Sequence, residues 1–291
     1  MRNKIAKDQL FVEEALKNEN VKDFVFSNLR KSLAYLGFSP ELINDLLANL
    51  QNLDIEVFWE QHREELDKIF TFGFLQHIAP EYFKVHVIPE IKGCEKIVDI
   101  GCGTGILAKI LSETGKFDKI AGIEIIPYPE WKMFTNEKIS FDVVQEEKLE
   151  EFLTQEQPDS VVLTWVLHHM EYDQQVRYMQ RVYDVLKPGA QVIILEDAYS
   201  TVLEPLLGKE LHNKFMQLTL EERHAITGIN DWTANRILGQ RAMVPVPFGY
   251  RTVEEWKEMF SKIGYKNTYE KYIGFPDRDV YNPQSTMVFE K

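Results

Sequence analysis

The run Glu95-Lys-Ile-Val-Asp99-Ile-Gly101-Cys-Gly103-Thr-Gly105-Ile-Leu107 decides the fold. Ile97, Val98 and Ile100 make a short β-branched segment suited to a buried strand. It ends in three glycines at alternate positions, Gly101, Gly103 and Gly105. A helical pattern follows at once, with Ile106, Leu107, Ile110 and Leu111 on one face. Glycines at a strand-to-helix turn accept positive φ and let a ligand approach the backbone closely. A dinucleotide-binding turn needs Gly-x-Gly-x-x-Gly, and here the third glycine comes one residue early, with Ile106 in its place.

Downstream of this turn the pattern alternates strands with helices, the signature of a parallel sheet with right-handed crossovers. The apolar runs predict strands near 95–100, 118–124, 139–144, 159–164 and 190–196, and helices near 104–114, 146–154 and 171–186. Residues 198–250 then read as a long, mostly helical insertion. Thr252-Val-Glu-Glu255 forms a capping box for a helix ending at Gly264, and strands near 266–273 and 284–290 close the sheet. Upstream, residues 1–92 carry helical periodicity. Val21, Phe24, Val25, Leu29 and Leu33 recur at spacings of three and four, and Gly37 is a stop. Ser39-Pro40-Glu41 starts a second helix, and Ile55, Phe58 and Trp59 begin a third apolar set running towards Ile69 and Phe72. The expectation is a helical cap or lid over 1–92, followed by a ligand-binding domain over 93–291.

Composition bounds the function. The 291 residues are 44% hydrophobic and 27% charged, enough for one large domain or a domain with a helical addition. A net charge of −13 argues against sequence-independent binding to nucleic acid, which needs clustered Lys and Arg. Cys94 and Cys102 are too few for a disulfide framework and lack metal-ligand neighbours at recognisable spacing, which predicts a reducing cytoplasm. The N-terminus has no apolar core of a signal peptide, and no stretch approaches 18 apolar residues, so no membrane span is expected.

The chemistry-bearing residues fall at the ends of the predicted strands. Glu124 stands 19 residues after Gly105, where a carboxylate can accept from both hydroxyls of a ribose. Asp99 is a carboxylate inside an apolar strand and needs partners. Gln145 and Glu146 end the third strand. Pro127 and Pro129 interrupt helical hydrogen bonding after the second, so the connection there should be locally unusual. Ligands bind beyond the carboxyl ends of strands in open α/β sheets, which gathers Gly101–Gly105, Glu124, Gln145, Trp165 to His169 and Glu196 to Tyr199 on one rim. Imidazole titrates near neutrality, making His168 or His169 the general-base candidate, with Glu196 or Asp197 to orient it. Adjacent histidines do not readily face one ion, and no metal site is expected.

The form Asp-x-Gly-x-Gly-x-Gly at 99–105 resembles motif I of the class I S-adenosylmethionine (SAM) methyltransferases. Pro158-Asp-Ser-Val-Val-Leu-Thr-Trp-Val-Leu-His-His-Met170 and Arg181-Val-Tyr-Asp-Val-Leu-Lys-Pro-Gly189 are similar to their fourth-strand region, closest to the ubiquinone-biosynthesis-like and natural-product types. The resemblance covers roughly 95–200, and Phe248 to Gly264 is similar to the family's C-terminal substrate region. It implies a Rossmann-like, seven-stranded, mostly parallel sheet with the last strand antiparallel. It further implies SAM as cofactor, S-adenosylhomocysteine as product, and a cofactor site drawn from Asp99, Gly101, Cys102, Gly103, Gly105, Glu124, Ile125, Gln145, Glu146 and Trp165. Methyltransferases of this kind usually carry an acid at the position of Gln145, whose amide can still offer its carbonyl to the adenine amino group. Tyr128 or Ile125 can pack on the purine.

The expected reaction is in-line transfer of a methyl group to an O or N of a small-molecule acceptor. The amino-adenine signature of Asp or Asn, two prolines and an aromatic is absent after the fourth strand, where Thr164-Trp-Val-Leu167 stands, and no cysteine offers RNA cytosine chemistry on that rim. Trp232, Phe248 and Tyr250 can line an aromatic pocket or pack as core, and Arg236 and Arg251 can meet an acidic substrate or form surface ion pairs. The N-terminal helices can pair two copies as a homodimer. Two other readings keep the ligand: a SAM-binding or S-adenosylhomocysteine-binding regulator without transferase activity, or SAM chemistry other than methyl transfer.

Overall fold

A computed structural model describes residues 2–93, 95–134, 136–241, 244–276 and 282–291; Cys94 lies outside them. The chain forms two compact units. One comprises Met1–Ile78, Val202–Tyr250 and Ile273–Gln284, the other Ala79–Thr201, Arg251–Tyr272 and Ser285–Lys291.

The first unit is helical. It contains α1 (Arg2–Ala15), α2 (Glu19–Leu36), α3 (Pro40–Asn49) and α4 (Ile55–Lys68), the last running on as a π-helix over Ile69–Ile78. As the sequence predicts, Gly37 closes α2 in the left-handed region at φ 95°, and the Ser39 hydroxyl accepts from Leu42 N with Pro40 in the first turn. The same unit holds α9 (Lys209–Met216) and α10 (Leu220–Trp232), as α2 and α10 pack together. Glu222 completes a capping box with Thr219 and also accepts from Asn18 and Asn20 Nδ2, at 3.1 and 2.8 Å. These donors hold its carboxyl at a pKa of about 2. Phe11 stacks on Phe248 at 3.9 Å, and Phe215 meets both Phe24 and Phe275.

The second unit carries most of the sheet. Its strands are β1 (Lys96–Ile100), β2 (Lys119–Glu124), β3 (Ile139–Val143), β4 (Ser160–Thr164), β5 (Gln191–Asp197), β6 (Lys266–Gly274) and β7 (Gln284–Glu290), in the order β3-β2-β1-β4-β5-β7-β6. The first five are parallel, with Asp99 opposite Gly122 of β2 and Val162 of β4. β7 runs against β5: Gly189 N donates to Lys291 O at one end, and Ser285 Oγ to Ala198 O at the other. The helices of this unit are α5 (Ala79–His86), α6 (Ile106–Glu113), α7 (Leu149–Glu156), α8 (Tyr172–Val185) and α11 (Val253–Ile263). α6 packs with α5, and α8 with both α7 and α11. Thr252 and Glu255 form the expected capping box on α11. Among the described residues between β2 and β3, the chain forms a short 3₁₀ turn, Pro129–Met133, in keeping with the prolines there. Chain order reverses between β1 and β4, and open α/β sheets bind ligands beyond the strand ends at such a reversal. Among the described residues, no helix is long and apolar enough to cross a membrane.

Candidate active site

The glycine turn after β1 is left-handed at each of its three glycines: Gly101, Gly103 and Gly105 have φ of 71°, 50° and 83°. The three glycines answer different needs. A Cβ on Gly101 would lie 2.5 Å from Val166, and one on Gly105 2.5 Å from the Phe141 ring, whereas Gly103 has open space at that position. Gly101 and Gly105 therefore permit packing, and Gly103 leaves the backbone approachable. Cys102 is buried, and that burial, with the charges of Asp99 and Glu124, pushes its thiol up and keeps it protonated.

Asp99 is 1% exposed, and among the described residues neither carboxylate oxygen has a hydrogen-bond partner. Burial first, and the Glu124 carboxylate second, push its pKa up to about 8. Glu124 ends β2 half-buried, with Oε1 accepting from Ile125 N at 2.8 Å. Two carboxylates beside an approachable glycine turn, one of them unsatisfied, fit a ligand with a cationic end and a diol. Ile125 is 53% exposed at the same rim, and Gln145 after β3 donates through Nε2 to Ile125 O at 2.8 Å, leaving its carbonyl oxygen as an acceptor. Glu146 is engaged elsewhere: Arg181 and Gln174 of α8 both donate to its carboxylate.

At the end of β4, Trp165 adopts φ 56°, an unusual conformation for a bulky residue, with its ring against Tyr82 and Phe83 of α5 at 5.9 and 5.4 Å. The 3₁₀ turn Leu167–His169 follows. Glu196, wholly buried on β5, organises that turn. Its Oε1 accepts from Val166 N and Leu167 N at 3.1 and 2.7 Å, and its Oε2 lies 2.5 Å from His168 Nδ1. The sequence left Glu196 and Asp197 as alternatives for this contact, and Glu196 makes it. Asp197 is also buried, and His169 packs its ring on His168 at 4.2 Å between centroids.

Gln175 was missed by sequence reasoning. It is wholly buried on α8, donates through Nε2 to Leu167 O and Met170 O, both at 3.1 Å, and accepts from Arg251 Nε at 2.7 Å. The available signal was a polar residue sharing the apolar helix face of Tyr178, Met179 and Val182. Arg251 also lies over the Tyr172 and Trp256 rings. Arg236 is no surface residue: it is wholly buried, donating to Asp8, Arg241 O and Val244 O. Trp232 is core, and Tyr250 donates to Asp231 at 2.7 Å.

A Rossmann-like sheet with a glycine turn and an acid at the end of β2 is an architecture suited to binding a nucleoside cofactor. The chain belongs to the family described as a methyltransferase domain, which matches residues 58–270, and is an enzyme of the SAM-dependent class. No curated protein matches it in sequence. Among solved structures it is similar to a chain of the Haloferax volcanii complex between the Trm112 methyltransferase activator and a methyltransferase. The identity there is 15%, over 78% of this chain and 97% of that one, with a TM-score of 0.50. A structure of TnmH is similar at 16% identity, covering 86% of this chain and 68% of that one, also at TM-score 0.50. A SAM-dependent methyltransferase from Archaeoglobus fulgidus has 14% identity over 79% and 99% of the two chains, with TM-score 0.49. At such identities the likeness is one of fold.

Proposed function

We propose that the protein transfers a methyl group from SAM to an oxygen or nitrogen of a small-molecule acceptor, by in-line displacement, with His168 as proton acceptor. When bound, SAM supplies a methyl group already activated on a sulfonium. The chain's own task is then to align, to exclude water and to take a proton.

The observation that carries the reading is the hold of Glu196 on His168 Nδ1. A buried carboxylate at Nδ1 keeps the neutral ring's hydrogen on that atom, which leaves Nε2 as the basic nitrogen. The same carboxylate gathers two amides of the turn, so ring and backbone are set together. Asp99 would meet the cationic end of the cofactor, Glu124 the ribose hydroxyls, and the Gln145 carbonyl the adenine amino group. Ile125 would lie against the purine. His169 packs its ring on that of the proton acceptor, and Trp165 would lie beside the cofactor. The net charge of −13 and the absent nucleic-acid signatures favour a small acceptor.

Formation of S-adenosylhomocysteine from SAM with a panel of small phenols, alcohols and amines tests the reading. His168→Asn should bind S-adenosylhomocysteine as the wild type does and turn over an accepted hydroxyl compound at least ~100-fold more slowly. Unchanged turnover removes the imidazole from the reaction.

A further inference from the structure

We propose that Trp131 is a positioning residue of the cofactor site, fixing the glycine turn through its indole N–H. The proposal rests on reading that turn as cofactor-binding, and adds a contact that the motif itself does not contain.

Trp131 lies in the 3₁₀ turn that Pro129 begins, between β2 and β3. Its Nε1 donates to Gly103 O at 2.8 Å, across 28 positions of sequence. The ring is held flat on Phe141, with centroids 5.1 Å apart and planes 8° from parallel. Phe141 in turn fills notches left by missing side chains: a Cβ on Gly105 or Gly122 would come within 2.5 or 2.7 Å of its ring. Strand β3 and two glycines thus set the pose from which the indole reaches the turn.

The hydrogen bond falls on the middle glycine, the one with open space at its Cβ position and φ of 50°. A glycine peptide without an outside contact rotates between conformations at little steric cost. In a trans peptide the carbonyl and the following N–H point in opposite directions. Holding Gly103 O towards the indole therefore turns the Thr104 N–H away from it. Trp131 selects one orientation of a peptide that would otherwise be ordered by the ligand, and the ligand would bear that entropy.

Trp131→Phe keeps a flat ring for Phe141 and removes the N–H alone. Calorimetric titration with S-adenosylhomocysteine should show about tenfold weaker binding than wild type, or about 1.4 kcal/mol, with melting within about 2 °C. In ¹H–¹⁵N spectra of the wild type, the indole signal absent from the variant should exchange slowly and shift on adding S-adenosylhomocysteine. A purely structural tryptophan would show no such shift. Equal affinity in wild type and Trp131→Phe overturns the proposal alone. A wild type that binds no S-adenosylhomocysteine overturns the reading of the turn, and the proposal with it.

Discussion

Glu196 and His168 are joined at 2.5 Å inside the sheet unit, both almost wholly withdrawn from solvent, and the same carboxylate carries two amides of the turn that bears the histidine. One side chain thereby holds both the turn and the imidazole it bears. Glu196→Gln tests the arrangement. Its carbonyl can still accept from the two amides, but its NH₂ faces Nδ1 and drives the ring hydrogen to Nε2. Turnover should fall ~100-fold or more while S-adenosylhomocysteine affinity stays within about twofold, and stability should drop by about 1–3 kcal/mol. Steady-state kinetics and denaturant melts on one preparation separate these effects.

Asp99 makes a prediction about pH. Its folded pKa of about 8 lies well above the ordinary carboxylate value, through burial first and the Glu124 charge second. The folded state therefore keeps a proton that the unfolded chain releases above about pH 4. Its contribution is fully present below that pH and is lost as pH rises towards 8. Wild-type stability should fall between pH 5 and pH 8, and Asp99→Asn should flatten the slope. A cationic ligand beside Asp99 favours the carboxylate, so SAM should release a proton on binding at pH 7. Titrations in two buffers of different ionisation enthalpy would detect it.

The glycines separate packing from binding. Gly105→Ala sets a methyl group 2.5 Å from Phe141 and should cost about 1–3 kcal/mol in stability. Phe141→Leu in the same chain should recover part of that loss. Gly103→Ala meets no atom within 4 Å and should melt closer to wild type, while binding S-adenosylhomocysteine at least ~10-fold more weakly. Melting curves paired with titrations check both.

Arg236 and Asp8 form a buried pair within the helical unit. Arg236→Met removes the charge that pairs with Asp8 and the donor to two carbonyls, and should cost about 3–5 kcal/mol. Asp8→Ala combined with Arg236→Met should cost less than the sum of the single changes. A double-mutant cycle by chemical denaturation measures the difference.

Much of the sheet was legible because buried parallel strands read as β-branched runs and their ends carry turn residues. Lys96–Ile100, Lys119–Glu124 and Ser160–Thr164 fall within a residue of expectation, and Ser39 and Thr252 cap their helices as their spacing foretold. Local signals end there. Arg236 read as a surface cation because its partner Asp8 is 228 positions away. The Trp131–Gly103 contact joins two loops whose spacing in sequence has no period, and Gln175 is explained only by carbonyls of the preceding turn and an arginine 76 positions on. Glu196 and Asp197 sit on opposite faces of one strand, and only the folded sheet decides which faces His168.

On the function proposed above, the glycine turn and Glu124 hold an adenosyl cofactor. Calorimetric titration of the wild type and Glu124→Ala with SAM and S-adenosylhomocysteine, with NADH as control, tests it most directly. The predicted result is micromolar binding of both adenosyl ligands to the wild type, none of NADH, and more than tenfold weaker binding to Glu124→Ala. Binding of NADH in place of SAM, or equal adenosyl affinity in the variant, would mean that the turn and Glu124 do not hold an adenosyl cofactor.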